Sequence, residues 1–239
     1  MGLFAVGVVR PCPVQVSLRH RPAYTLAYVS LTAGERLFVE RGAMAAMSDG
    51  FIVKATTGGK VSSAIARHAV GSESMIFTSF ESKISGAWVA LSPSRPGDIE
   101  VLELFGDGFL VQTGSLLGYS EGINVSLRYG GVRSMVMHEG AAYLHVAGEG
   151  TALFCSYGAI ERIEVGSGES LIVDTGHIVA FSDSMKFHIG TLGSIATSAL
   201  SGEGIVSQFT GPGVVYMQTR AEQGLRNWLS PERGQNNPR

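Results

Sequence analysis

One pattern of apolar, polar and glycine positions occurs three times along the chain without a gap. It reads G-E-S-L-I-V-D-T-G-H-I-V-A-F-S-D at Gly168–Asp183, G-E-R-L-F-V-E-R-G-A-M-A-A-M-S-D at Gly34–Asp49 and G-D-G-F-L-V-Q-T-G-S-L-L-G-Y-S-E at Gly106–Glu121. Each copy opens on a turn signal, runs through a short apolar strand, breaks at a central glycine (Gly42, Gly114, Gly176) and resumes as a second apolar strand. A glycine that splits a strand marks a bulge, a corner or a close approach of another backbone. Four residues past it the side chain is small in every copy: Ala46, Gly118, Ala180. Both faces of this second strand are apolar or small, which predicts burial between two layers. The turns Ser48-Asp49-Gly50, Ser120-Glu121-Gly122 and Ser182-Asp183-Ser184 follow. After them apolar residues alternate with polar ones, as at Phe51, Val53 and Ala55, or Ile123, Val125 and Leu127. Period 2 is the mark of a half-buried strand.

A second element trails each copy and aligns only with small gaps. It spans Gly71–Leu91, Glu139–Phe154 and Ser201–Arg220, each an apolar strand, a glycine-containing turn and another apolar strand. A unit of a few short strands cannot bury a face alone, and three packed together can share a core. The expected organisation is a lead-in over residues 1–22, β repeats over 23–98, 99–160 and 161–220, and a short helix with a disordered tail over 221–239. Ala23–Leu31 is the first expected strand. Ser92–Asp98 and Tyr157–Glu161 are the linkers, and Ala221–Leu229 would place Leu225, Trp228 and Leu229 on one helix face.

Composition supports a strand-rich chain. Of 239 residues 45% are hydrophobic, only 16% are charged, and 32 are glycine. A mean hydropathy of +0.21 implies a large core, or apolar surface hidden in an oligomer or against a membrane. The net charge of −2 gives the whole chain no pull towards nucleic acid or anionic lipid. Cys12 and Cys155 follow no CxxC spacing and read as reduced thiols, which points to the cytoplasm. Met1–Val9 is apolar but no basic segment precedes it, so a signal peptide is not expected. The uncharged run Phe187–Gly202 is too short, and too rich in Gly, Ser and Thr, for a transmembrane segment.

Candidate chemistry is sparse. Glu35, Asp107 and Glu169 match one another, as do Asp49, Glu121 and Asp183. They could form a threefold carboxylate ring for a metal, but acids beside Gly or Ser in tight turns serve turn geometry first. The third matched set, Glu40, Gln112 and Asp174, contains a glutamine and argues against a cage. The histidines His20, His68, His138, His145, His177 and His188 show no metal-ligand spacing. No G-x-S-x-G elbow occurs, and Cys155 sits in an apolar strand as a core residue. Gly148-Glu149-Gly150 and Gly211-Pro212-Gly213 lack the following helix and Lys-Ser or Lys-Thr of a phosphate loop, and read as hairpin turns. No catalytic residue, no cofactor-binding residue and no metal ligand is assigned, and no cofactor is expected.

The stretches E-S-L-I-V-D-T-G-H-I-V-A-F, S-G-E-G-I-V-S-Q-F-T-G-P-G-V-V-Y-M-Q-T-R and P-G-D-I-E-V-L-E-L resemble a known family. It is the mitochondrial biogenesis family named after a yeast protein linked to altered inheritance of mitochondria. The resemblance covers roughly residues 24–229. It implies an all-β fold of three tandem β-sandwich-like repeats with pseudo-threefold symmetry, like the tryptophan RNA-binding attenuation protein, and assembly into oligomers. It brings no established catalytic residues. The chain departs from the family pattern where Ala147-Gly148-Glu149-Gly150 stands in place of Thr-Gly-Pro-Gly.

The function expected from these observations is a non-enzymatic β scaffold or binding protein that forms a homo-oligomer and takes a protein or small-ligand partner. RNA or ligand binding and peripheral membrane association are the alternatives. Nucleic acid is the weaker one, since aromatics are 8% of the chain and Lys and Arg do not interleave with them. Fold analogy alone transfers no function. An enzyme would need an asymmetric polar pocket between repeats.

Overall fold

The computed structural model describes residues 14–56, 76–129, 142–191 and 205–229. They are nearly all β: seventeen strands, one 3-10 turn and one helix. In the first part of the chain these are β1 (Gln15–Arg19), β2 (Leu26–Leu31), β3 (Arg36–Glu40), β4 (Met44–Met47), β5 (Phe51–Thr56), β6 (Phe77–Ser82) and β7 (Ala87–Leu91). The middle holds β8 (Ile99–Gln112), β9 (Leu116–Ser120), β10 (Ile123–Tyr129) and β11 (Ala142–Cys155). Then come β12 (Ile160–Val165), β13 (Ser170–Asp174), β14 (Ile178–Ser182), β15 (Lys186–Thr191), β16 (Ile205–Thr210), β17 (Gly213–Gln218) and the helix α1 (Glu222–Leu229).

The strands form three antiparallel sheets. One runs β1-β2-β7-β4. The largest runs β12-β17-β14-β8-β11-β9-β3-β6-β5, with β10 also on β11. The third runs β13-β16-β15. The partners follow a recurring scheme. In the first part β2 and β4 flank β7 while β3 and β5 flank β6. In the last part β12 and β14 flank β17 while β13 and β15 flank β16. In the middle, β8 and β11 are each long enough to take two of these roles. Their outer halves pair at Ile99–Phe105 with Glu149–Cys155, their inner halves at Gly108–Gln112 with Tyr143–Ala147. β9 joins one half of β11 and β10 the other.

Two expectations change here. Gly148-Glu149-Gly150 is no hairpin turn: β11 runs straight through it with a register shift between Ala147 and Glu149. Gly106-Asp107 likewise lies inside β8 rather than in a turn. Glycines at positive φ suit a turn or a bulge equally well, and here a long partner strand on the other side selects the bulge. The lead-in also holds β1, which extends the first sheet by pairing with β2.

Alternation in sequence becomes alternation in burial: Ala27, Val29 and Leu31 of β2 and Leu37 and Val39 of β3 all point inward. They meet Phe80, Val89, Leu91, Leu117 and Leu153 in one apolar cluster. Leu104, Val111, Tyr119, Val146 and Phe154 form a second cluster with Val179 and Tyr216. Val173, Phe181, Phe209 and Val215 form a third with Tyr143. Each cluster borrows side chains from the neighbouring part of the chain. Burying one such Leu or Phe is worth about 1.5–3 kcal/mol, so the joins are part of the core. The tail helix is the exception. Arg95 and Glu222 form an ion pair that ties it down, but Leu225, Trp228 and Leu229 are exposed, so its apolar face covers nothing among the described residues.

Candidate functional site

The three parts of the chain meet through a strand-to-strand junction that occurs twice. At the first, β9 pairs with β3: Ser120 opposite Leu37, Tyr119 opposite Phe38, Gly118 opposite Val39. At the second, β14 pairs with β8: Ser182 opposite Phe109, Phe181 opposite Leu110, Ala180 opposite Val111. In the sixteen-residue pattern these are the same positions, so the two junctions share one register. The small residue is required by the approach of the strands. A Cβ on Gly118 would stand 2.9 Å from the Phe38 carbonyl oxygen. Next to it Phe38 and Tyr119 stack with ring centroids 5.0 Å apart.

Where each junction ends, a backbone bond and a side-chain contact of the turn acid close it. The Glu121 N–H donates to the Arg36 carbonyl at 3.2 Å, and the Asp183 N–H to the Gly108 carbonyl at 2.9 Å. Arg36 spans Glu81 at 3.0 Å and Glu121 at 3.4 Å. The Glu81 bond, then the Glu121 charge, raise its pKa above the ordinary value. Asp183 instead meets His145 Nε2 at 2.8 Å, in space left open because a Cβ at Gly108 would collide with the Asp183 carboxylate.

A third pair of strands has the same sequence positions and no such junction. Residues 44–47 of β4 are all exposed, with Met47 at 42%, whereas β9 is buried throughout and β14 nearly so. The expectation that all three inner strands are buried between layers therefore fails for β4. β13, the counterpart of β3 and of the inner half of β8, pairs with β16 alone among the described strands and leaves Ile172 53% exposed. Asp49, the counterpart of Glu121 and Asp183, makes no side-chain bond among the described residues.

A cleft of about 850 Å³ opens beside the first junction. Among the described residues Glu35, Glu103, Glu121 and Glu149 line it against the one positive charge of Arg36, and Phe105, 72% exposed, lines it too. Three of the carboxylates are committed: Glu35 accepts from the Thr32 N–H at 2.6 Å, Glu103 from the Thr151 hydroxyl at 2.8 Å, and Glu121 pairs with Arg36 at 3.4 Å.

The remaining candidates are dispersed. Glu169 accepts from the Gly166 N–H at 2.8 Å, the turn role that Glu35 also plays. Asp174 caps the 3-10 turn at Gly176, and His177 Nδ1 lies 2.7 Å from the Gln218 carbonyl. His188 lies on β15 opposite Gln208, and His20 sits in the turn after β1. Cys155 is buried, and burial pushes its thiol up to about 12. Cys12, His68 and His138 lie outside the described residues. No group of three or more His, Cys, Asp or Glu stands in metal-binding range among the described residues. One cluster escaped the sequence reading: buried Asp98 takes a two-pronged Arg21 guanidinium (2.9 and 2.8 Å), the Thr25 hydroxyl at 2.7 Å and the Ile99 N–H at 2.9 Å. Both side-chain partners lie more than seventy residues away in sequence, and only the P-G-D segment hints at it.

Comparison with known proteins agrees with this architecture. Residues 16–220 match the family described as mitochondrial biogenesis AIM24. An uncharacterized protein of Streptococcus pyogenes serotype M6 is 26% identical over 204 residues, covering 82% of each chain. A crystal structure of a Streptococcus pyogenes protein superposes with a TM-score of 0.75 at 25% identity, covering 91% of this chain and 99% of that one.

Proposed function

The chain belongs to the mitochondrial biogenesis AIM24 family, and on that premise we propose that it is a non-enzymatic, three-unit β scaffold that self-associates and offers a binding surface. The units are residues 23–98, 99–160 and 161–220, joined in series by one repeated junction. The recurring partner scheme and the shared register of the two junctions support this division. The observation that carries self-association is β4. Its four residues are exposed although its counterparts are core strands, and a bare apolar edge strand is a ready template for another chain. Light scattering on the full chain tests the reading. An assembly at micromolar concentration is the expected outcome, and a strict monomer would overturn it.

The ligand half of the proposal belongs to the cleft at the first junction, where the units differ. Arg36 is replaced by Gly108 and Ser170 in the other copies of the pattern. Four glutamates against one arginine among the described lining residues favour a small cation with an apolar part over an anion. A thermal-shift series pairing an alkylamine with the carboxylate of equal chain length reads this directly. Stabilisation by the amine alone is expected, and equal or reversed responses would remove the cleft as a cation site.

A further inference from the structure

The two unmatched edges, β4 and β13, are the two halves of one missing junction. We propose that β4 of one copy pairs with β13 of a second copy in the register of the two junctions within the chain. Ala46 then lies opposite Val173 of the neighbouring copy, Met47 opposite its Ile172 and Ser48 opposite its Leu171. This rests on the self-association reading above and says which edge meets which.

Four observations carry it. First, the rule linking consecutive units is the same both times. The strand after the central glycine pairs with the strand before the central glycine of the preceding unit, at identical pattern positions. Applied once more, it joins β4 to β13. Second, both edges keep what the junction needs. β4 has a small residue, Ala46, where Gly118 and Ala180 admit the partner backbone, and it shows the same register shift against its inner neighbour. The shift falls between Met44 and Ala46, as between Ile178 and Ala180 in β14. Third, the exposed side chains are complementary. Met47 and Ile172 are the two positions that in the first junction become the stacked pair Tyr119 and Phe38. A directly opposed cross-strand pair places its side chains in contact. Fourth, the rim fits. Asp49 would reach Ser170 and Gln208, which already share a hydrogen bond at 3.1 Å. Gln208 stands where His145 receives Asp183. No acid of β13 faces Asp49 at those positions, so no like charge opposes the pairing.

Among the described residues the junction is not closed inside one chain. β4 and β13 lie in different sheets, and all of β4 is exposed. Each copy carries one of each edge, so the contact is head-to-tail rather than twofold. Such contacts give a ring when the rotation closes and a filament when it does not.

Mixed-chain crosslinking provides the test. Full-length chains carrying Met47→Cys or Ile172→Cys, each in a Cys12→Ser background, are purified separately, mixed and oxidised. Opposed residues of an antiparallel pair lie within disulfide reach. A crosslinked dimer should form in the mixture and not in either chain alone. A chain carrying both cysteines should give a ladder of linked copies. A bond confined within that double variant, or no bond in the mixture, overturns the pairing. As a second measurement, Met47→Lys and Ile172→Lys should each convert the assembly to monomer while the circular dichroism spectrum stays that of the parent. A parent that assembles while both lysine variants also assemble refutes this pairing and leaves self-association standing. A parent that is monomeric refutes both.

Discussion

Met47, Tyr119 and Phe181 hold the same place in the same sixteen-residue pattern, yet Tyr119 and Phe181 are buried and Met47 is 42% exposed. Nothing in the three copies separates the strands by polarity. What separates them is the partner. β9 lies on β3 and β14 on β8, whereas β4 has β7 on one side and no described strand on the other. Burial of an inner strand is thus a property of the junction, and an apolar pattern records the capacity for that junction rather than its presence.

The sharpest way to break this comparison is to truncate the same position in two copies. Phe181 packs against Tyr143, Phe187 and Phe209. Phe181→Ala should therefore cost about 3–5 kcal/mol of unfolding free energy. Met47→Ala, measured by urea unfolding at a dilution where the chain is free, should cost under about 0.5 kcal/mol. Similar losses at both positions would mean that β4 is a core strand after all.

A smaller effect is expected from enlarging the small position. Gly118→Val drives a side chain into the Phe38 backbone and should cost about 1–3 kcal/mol. Ala46→Val meets no backbone in the free chain and should leave its stability within about 0.5 kcal/mol, while blocking assembly. If Ala46→Val assembles normally, the close approach found at Gly118 does not recur between copies.

The rim pairs come next. Asp183→Asn weakens the hydrogen bond to His145, a partly exposed contact, and should cost about 0.5–1 kcal/mol. Asp49→Asn should cost nothing measurable in the free chain. Gly108→Ala should reproduce the Asp183→Asn loss or exceed it, because its Cβ takes the space of the carboxylate. A null result for Gly108→Ala would show that Asp183 does not depend on that space.

Much of the strand order is legible in the residues. Period 2 around the central glycines gives β3, β4, β5 and their counterparts, because alternating burial needs only the local chain. The helix at Glu222–Leu229 is likewise where its apolar spacing puts it. What is not legible depends on distant partners. Gly106-Asp107-Gly108 and Gly148-Glu149-Gly150 have turn composition, and only their position inside two long paired strands makes them irregularities in a ladder. The turn acids show the same limit. Glu35 and Glu169 serve their own turns, as local chemistry predicts. Glu121 and Asp183 are held by Arg36 and His145 across the junctions, and no local rule names those partners.

The smallest effect at neutral pH, and the most specific above it, concerns the hydroxyl of Tyr119. It is buried without a hydrogen-bond partner among the described residues, and burial pushes it up from 10.0 to about 12. Tyr143 and Cys155 are pushed up to about 12 by the same cause. These groups are neutral when protonated, and the folded chain holds the proton more tightly than the unfolded chain. Stability should therefore be flat with respect to these groups below about pH 9. It should fall as pH rises towards 12, where the unfolded chain has released protons that the folded chain retains. Tyr119→Phe removes an unsatisfied hydroxyl and should leave stability at pH 7 within about 0.5 kcal/mol of the parent, or slightly above it. Its slope above pH 10 should be shallower than the parent's. Met47→Tyr puts a phenol at the matching position of the open edge, where water reaches it, and should add no alkaline slope to the free chain. If Met47→Tyr steepens the slope in the dilute monomer as Tyr119 does in the core, the edge is already covered within one chain and the distinction between the two strands collapses.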